Sequence, residues 1–338
     1  MICRLNGGVI STANIAQKAV IPGIKESETG EIYAISSRNL ENAKAIAEQL
    51  DIPVAYGSYE ELLADSNIDA IYIPLPNHLH KEWSIKAMEA GKHVLCEKPA
   101  ALNARETREM VEASKKAEVV FAEAFMYRYH PRYQMIQELL AKGEIGEIRG
   151  LHGVFTFNSA SAKENVRFKK AWGGGGSLYD VGGVYPISAA RMILKEEPQA
   201  ATVHALFSEQ HDQVDMMASG ILEFDHGVAL TFDCGMWADF RNRLEILGTE
   251  GKIEVPSAFV VNQNEQDHFF VHTSKGTKEV EVPYVNQYAL QADAVGQSIL
   301  NGKPLPYPAS DAILNMKVLD ACLTSAEERR RVEIKEEE

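Results

Sequence analysis

Three short stretches of this 338-residue chain combine residue types that could do chemistry. The first is His93-Val94-Leu95-Cys96-Glu97-Lys98-Pro99, where an apolar run leads straight into a carboxylate, an ammonium and a proline. The run reads as a short buried strand, and Pro99 pushes Lys98 into an extended conformation. Lys98 is thereby offered at the carboxyl end of a strand, where open parallel α/β sheets bind ligands. The alternative is an ordinary surface Glu–Lys pair that closes the strand. The second stretch is Ser11-Thr12-Ala13-Asn14-Ile15-Ala16, a turn after a strand ending in Gly8-Val9-Ile10. A dinucleotide fold carries G-x-G-x-x-G at such a turn. Here Ser11, Ala13 and Ala16 hold the three positions, so the strict fingerprint is absent. The close backbone approach that a pyrophosphate needs at a helix N-terminus is kept. The third stretch is Ser36-Ser37-Arg38-Asn39, at the end of the next strand. NAD sites place Asp or Glu there for the ribose 2′-hydroxyl, whereas hydroxyls with a guanidinium suit a 2′-phosphate. Within a dinucleotide fold this favours NADP, with NAD as the alternative. The competing reading makes Ser37 or Asn39 a helix cap and leaves Arg38 solvated.

The elements that would position these residues follow from the alternation of β-type runs and helical patterns over residues 1–123, the signature of βαβ units and a parallel sheet. Helices are expected over 15–24, 40–50, 78–90 and 103–117, and strands over 32–35, 70–73, 93–96 and 119–122. The strand over 70–73 runs into Pro74-Leu75-Pro76-Asn77-His78-Leu79-His80. The prolines stop it and Asn77 is a plausible helix cap. His78 and His80, two apart, point to different faces of a helix and make a poor metal pair, so no metal site is expected. This segment reads as a loop over the cofactor, with both histidines structural rather than catalytic. Asn6 and Gly7 are odd residues with which to open the first strand.

The totals bound the function. Length suggests about two domains, and 45% hydrophobic with 24% charged residues are ordinary for a globular protein. A formal net charge of −14 argues against nucleic-acid or anionic-membrane partners. Cys3, Cys96, Cys234 and Cys322 are scattered without CxxC spacing, as expected of free thiols in a reducing compartment. With no signal-peptide pattern and no apolar run of about 18 residues, the expectation is a cytoplasmic protein.

Gly8-Val9-Ile10-Ser11-Thr12-Ala13, Ser37-Arg38, the segment from Pro74 to His80 and Cys96-Glu97-Lys98-Pro99 occur in one order. They continue in Glu123-Ala124-Phe125-Met126-Tyr127-Arg128-Tyr129-His130-Pro131 and in Gly173-Gly174-Gly175-Gly176-Ser177-Leu178-Tyr179-Asp180-Val181-Gly182. Together they resemble the Gfo/Idh/MocA oxidoreductase family over nearly the whole chain. The likeness is greatest to the branch with trans-dihydrodiol dehydrogenase, NADP-dependent xylose dehydrogenase and glucose–fructose oxidoreductase. The resemblance implies hydride transfer between a nicotinamide cofactor and a sugar, polyol or diol. Lys98 would touch both substrate and nicotinamide ribose. The acid–base residue would be a tyrosine, mapping to Tyr185, and Asp180 would orient substrate or Lys98. The cofactor would be held by Ser11, Thr12, Ala13, Asn14, Ile15, Ser37, Arg38, Pro74, Leu75, Asn77, His80, Glu97, Lys98, Arg128 and Trp172. The substrate would be held by Lys98, Arg167, Asp180 and Tyr185.

One departure matters. Four residues separate Asp180 from Tyr185 where the family has three. An extra residue in a helix turns a side chain by about 100°. Tyr185 keeps the family's place only if the residue is absorbed as a bulge at Gly182-Gly183; otherwise Val184 takes that place. A dinucleotide-binding sensor that has lost the chemistry is therefore the second reading.

From residue 124 onward the pattern changes. Helices are expected over 131–142, 184–194, 288–300 and 310–324, with Ser310 as an N-cap, and a strand over 148–157. Strands recur from 202 to 282, with hairpin signals at Asp225-His226-Gly227, Thr249-Glu250-Gly251 and Ser274-Lys275-Gly276. Val332 and Ile334 alternate as an edge strand would. The expected architecture is α/β: a Rossmann-type, doubly wound parallel sheet over 1–123, then an α+β substrate and dimerisation domain over 124–338. That second domain carries a large, mostly antiparallel open sheet, and the last helix packs back on the first domain. The resemblance implies a homodimer or higher homo-oligomer formed through this sheet.

Overall fold

The computed structural model describes residues 4–162, 165–173, 176–181, 183–261 and 267–335. Gly174, Gly175 and Gly182 of the glycine-rich motif, and Cys3, lie outside them. The chain forms two compact units, one of residues up to Tyr129 with Asn286–Ile313, the other of His130–Val285 with the residues from Leu314 on. Among the described residues no helix is long and apolar enough to cross a membrane.

The first unit is built on six strands: β1 Leu5–Ile10, β2 Gly30–Ser36, β3 Val54–Tyr56, β4 Ala70–Ile73, β5 His93–Glu97 and β6 Phe121–Ala124. All pairs are parallel and the order is β3-β2-β1-β4-β5-β6, the doubly wound arrangement. Between the strands run α1 Ile21–Glu26, α2 Leu40–Gln49, α3 Tyr59–Ala64, α4 His80–Glu89 and α5 Ala104–Lys116. Asn39, Ser58 and Asn103 cap α2, α3 and α5. Asn6 and Gly7 do belong to β1. The Asn6 N–H donates to the Asp69 carboxylate at 2.8 Å and its amide to the Asn67 carbonyl at 2.8 Å, so its polarity is used at the strand's start.

Two expectations about the early helices of this unit are corrected. Asn77 does not cap α4. A short 3₁₀ turn, Asn77–Leu79, intervenes, with the Leu79 N–H on the Pro76 carbonyl, and Leu79 is the residue before α4. The first predicted helix is likewise not regular, since Ala16–Val20 is wound as a π-helix before α1.

The second unit contains β7 Ile148–Asn158, β8 Ala200–Ser208, β9 Val214–Glu223, β10 Ala229–Gly235, β11 Trp237–Gly248, β12 Gly251–Val255, β13 Asp267–Thr273, β14 Gly276–Val282 and β15 Val332–Glu333. They form one sheet in the order β14-β13-β12-β11-β7-β10-β9-β8-β15. Among the described residues of this sheet only β7 and β10 pair in parallel. The three predicted turns join the antiparallel pairs β9–β10, β11–β12 and β13–β14. Helices α6 Pro131–Ala141, α7 Lys170–Gly173 and α8 Val184–Leu194 belong here. Helix α9 Gln287–Asn301 returns to the first unit. There the Asp293 carboxylate accepts the Glu28 and Thr29 N–H groups at 2.9 and 3.0 Å and the Thr29 hydroxyl at 2.8 Å. Helix α10 Ala309–Glu328 begins in the first unit and continues into the second. Ser310 lies inside α10 rather than capping it, because the Pro308 carbonyl already accepts the Asp311 N–H at 2.8 Å.

Candidate functional site

In the first unit the predicted residues gather at the carboxyl ends of β1, β2, β4 and β5. The turn after β1 is held by the Ser11 N–H on the Ser36 carbonyl (3.0 Å) and by the Gln17 amide on the Thr12 carbonyl (2.7 Å). Ser11 adopts φ 82°, the left-handed region that costs an L-residue and suits glycine. Its hydroxyl is buried without a hydrogen-bond partner. A strained backbone with an orphaned hydroxyl, where a glycine usually stands, is a fitting cradle for a phosphate. Thr12 and Ala13 are half-buried, and Asn14 and Ile15 are exposed.

At the end of β2 the Ser37 hydroxyl accepts the Asn39 N–H at 3.3 Å, and the Asn39 side chain caps α2. Arg38 is exposed and faces the Tyr59 hydroxyl, opposing the burial that raises that tyrosine's pKa. The capping reading thus holds for Asn39, while Arg38 remains at the surface.

The segment after β5 is gripped on both sides of Lys98, itself half-buried. The Tyr72 hydroxyl donates to Glu97 Oε1 at 2.7 Å. Burial, with the Glu97 charge, pushes the Tyr72 and Tyr288 phenols up. The Lys98–Pro99 peptide is cis. The Pro99 carbonyl lies 2.9 Å from His80 Nδ1, and the Ala100 N–H donates to Glu123 Oε1 at 2.9 Å. Pro74, Leu75 and Asn77 are buried, and the Leu75 carbonyl sits 2.7 Å from His80 Nε2. Burial raises the Cys96 thiol well above its ordinary range, which makes it a packing group.

Two residues expected to hold the cofactor have other work in the structure. His80 is fully buried with both ring nitrogens on backbone carbonyls. Arg128 is buried in an ion pair with Asp311 at 2.5 Å, its guanidinium 4.3 Å from the Phe125 ring centroid and 4.9 Å from that of Tyr307.

The second unit holds Arg167, Trp172, Asp180 and Tyr185. Arg167 Nε lies 3.2 Å from Asp180 Oδ2, so these two predicted residues are brought together. Trp172 is exposed on α7, with the Lys169 ammonium 4.2 Å from its ring centroid. Asp180 sits in a second π-helical turn, Ser177–Val181. A π-turn takes one residue more than an α-turn, and α8 starts afresh at Val184. The Tyr185 ring packs edge-on to Phe155 (5.2 Å) and stacks on Phe259 (5.5 Å, 24°). Asn242 fixes that loop, accepting the Phe259 N–H at 2.9 Å and donating to the Val260 carbonyl at 2.7 Å.

The sequence reading missed Asp215, which ties down the π-turn. Its carboxylate, fully buried, accepts the Gly176 N–H (2.6 Å), the Ser177 hydroxyl (2.7 Å) and the Leu178 N–H (2.7 Å). Burial raises its pKa despite these donors. A Cβ on Gly176 would lie 2.3 Å from the Asp215 carbonyl oxygen, so only glycine fits. The available signal was a carboxylate inside the apolar run Val214-Asp215-Met216-Met217-Ala218.

Comparisons with known proteins agree with this architecture. Residues 5–125 match the family model GFO_IDH_MocA, described as an oxidoreductase family with an NAD-binding Rossmann fold. Residues 133–254 match the GFO/IDH/MocA C-terminal domain. The chain is 40% identical over 331 residues to an uncharacterized oxidoreductase, ORF334, of Rhizobium meliloti, covering 95% of this chain and 96% of that one. It is 34% identical to D-xylose 1-dehydrogenase (NADP(+)) 2 of Haloferax volcanii, covering 97% and 99%. Among solved structures, KijD10, a 3-ketoreductase from Actinomadura kijaniata in complex with NADP and TDP-benzene, superposes with a TM-score of 0.88. The identity is 28%, over 95% of this chain and 98% of that one.

Proposed function

Since the chain belongs to the GFO/IDH/MocA family of oxidoreductases with an NAD-binding Rossmann fold, we propose that it transfers hydride between NADP and a CH–OH group of a sugar, polyol or diol. The observation that carries this reading is the grip on Lys98, between a Glu97 held by Tyr72 and a Pro99-Ala100 pair held by His80 and Glu123. Preference for NADP is supported by the absence of a carboxylate at the end of β2 and by the exposed Arg38. The xylose dehydrogenase and the 3-ketoreductase carry NADP in their names.

The cofactor, when bound, supplies hydride acceptance or donation at its nicotinamide ring. The small turn at Ser11-Thr12-Ala13 would hold its pyrophosphate, and Ser37 with Arg38 its 2′-phosphate. In the oxidative direction Tyr185 takes the proton of the reacting hydroxyl, so that the O–H and C–H bonding electrons become the carbonyl and the departing hydride. The Lys98 ammonium stabilises the developing alkoxide and favours the tyrosinate. Arg167, paired with Asp180, orients the substrate's other hydroxyls.

A spectrophotometric screen of aldoses, polyols and diols with NADP and NAD tests the reading. Turnover that falls at least about 100-fold in both Tyr185→Phe and Lys98→Ala supports it. NADP binding with no turnover of any of these substrates would make the protein a sensor instead.

A further inference from the structure

His80 opens α4, and none of its surface reaches solvent. Nδ1 lies 2.9 Å from the Pro99 carbonyl oxygen and Nε2 lies 2.7 Å from the Leu75 carbonyl oxygen. A carbonyl can only accept, so each contact requires a proton on the ring. A neutral imidazole carries one N–H, and only the imidazolium carries two. A neutral ring would set a nitrogen lone pair against a carbonyl lone pair at hydrogen-bond distance, leaving a buried acceptor unsatisfied. Swapping the two tautomers only moves that conflict from one carbonyl to the other.

We propose that His80 is an imidazolium at neutral pH, a charged strut joining the loop after β4 to the segment that carries Lys98. Burial and the N-terminal end of α4 both disfavour a cation here, so two charge-assisted hydrogen bonds must offset them. Charged residues border the segments that His80 joins. On β6, Glu123 accepts the N–H of Ala100, the residue after Pro99. The neighbouring cation on α4, Lys81, is paired with Glu106 at 3.5 Å and Glu109 at 3.1 Å on α5, which reduces its repulsion. At the end of β5, Glu97 is bound by Tyr72. His80 is thus a positioning residue, acting through Leu75 and Pro99. Its effect on Lys98 chemistry rests on the proposed function, but its charge state does not.

The test is nitrogen NMR of the full chain labelled with ¹⁵N in histidine, at pH 7.5, where a free imidazole is about nine-tenths neutral. The resonance lost in His80→Gln is expected to show both ring nitrogens protonated. If that variant does not fold, His80 is identified in the native chain as the imidazole whose N–H protons exchange slowest with solvent. A neutral-tautomer spectrum for that ring overturns the proposal. In a folded His80→Gln, hydrogen exchange at the Lys98 and Ala100 amides is expected to quicken about tenfold or more. Unchanged exchange there would show that the strut holds nothing.

Discussion

Arg38 stands exposed at the end of β2, where the proposed cofactor's 2′-phosphate would need a cation. A charge-assisted contact of this kind is worth about 1.5–3 kcal/mol. Arg38→Asp is therefore expected to weaken NADP about 10–100-fold and NAD far less, read from dissociation constants for the two cofactors. Equal losses would reduce Arg38 to a surface residue. His130 gives a prediction about pH. Burial, aided by the Arg132 charge, lowers its pKa to about 3 from an ordinary 6.5. The folded protein keeps this ring neutral, so below pH 6.5 the unfolded chain takes up a proton that the folded one refuses. The contribution to stability is complete above pH 6.5 and is lost as pH falls towards 3. By pH 4 the loss is roughly 3 kcal/mol. His130→Asn keeps an acceptor for the N-terminus of α6 and removes the titration. Urea unfolding between pH 7 and pH 4 should accordingly be flatter for the variant than for the native chain. Parallel curves would refute the assignment.

Helix α8 carries Tyr185 across β7 where Gly153 lets Pro186 approach. A Cβ at Gly153 would lie 2.7 Å from Pro186 Cβ, far inside contact distance. Gly153→Ala is expected to cost about 1–3 kcal/mol by overpacking. It should also lower kcat/KM well beyond that of a stability-matched control, because it displaces the helix bearing the proposed acid–base residue. Gly150→Ala on the same strand meets nothing closer than 3.5 Å and should leave both quantities almost unchanged. If the two variants behave alike in urea and in activity, the close approach is unimportant. The α8 range was legible in the sequence because a largely apolar run ends at Leu194 before a charged Lys195-Glu196-Glu197. The π-turn before it was not. It depends on Asp215, 35 residues beyond Asp180 in number and on another strand, and no local pattern reports such a tie.

On the scale of the whole chain, the parallel sheet and the hairpin-joined second sheet could both be read from alternation and turn residues, except for the short edge strand β3 Val54–Tyr56, whose three half-buried residues show too little pattern to be found. The residues gripping Lys98 could not, because Tyr72, His80 and Glu123 come from three different elements and meet it only through tertiary structure. The same holds for α9, whose sequence shows an amphipathic helix but not that Asp293 binds the start of β2. That attachment has a consequence for biosynthesis. The first unit needs residues up to Ile313, yet its own sheet is complete by Ala124. A ribosome must add about 190 further residues before α9 and the start of α10 can close it. At ordinary elongation rates that interval is on the order of ten seconds or more. During it, the side of α1 and the start of β2 that α9 covers stay open in the nascent chain.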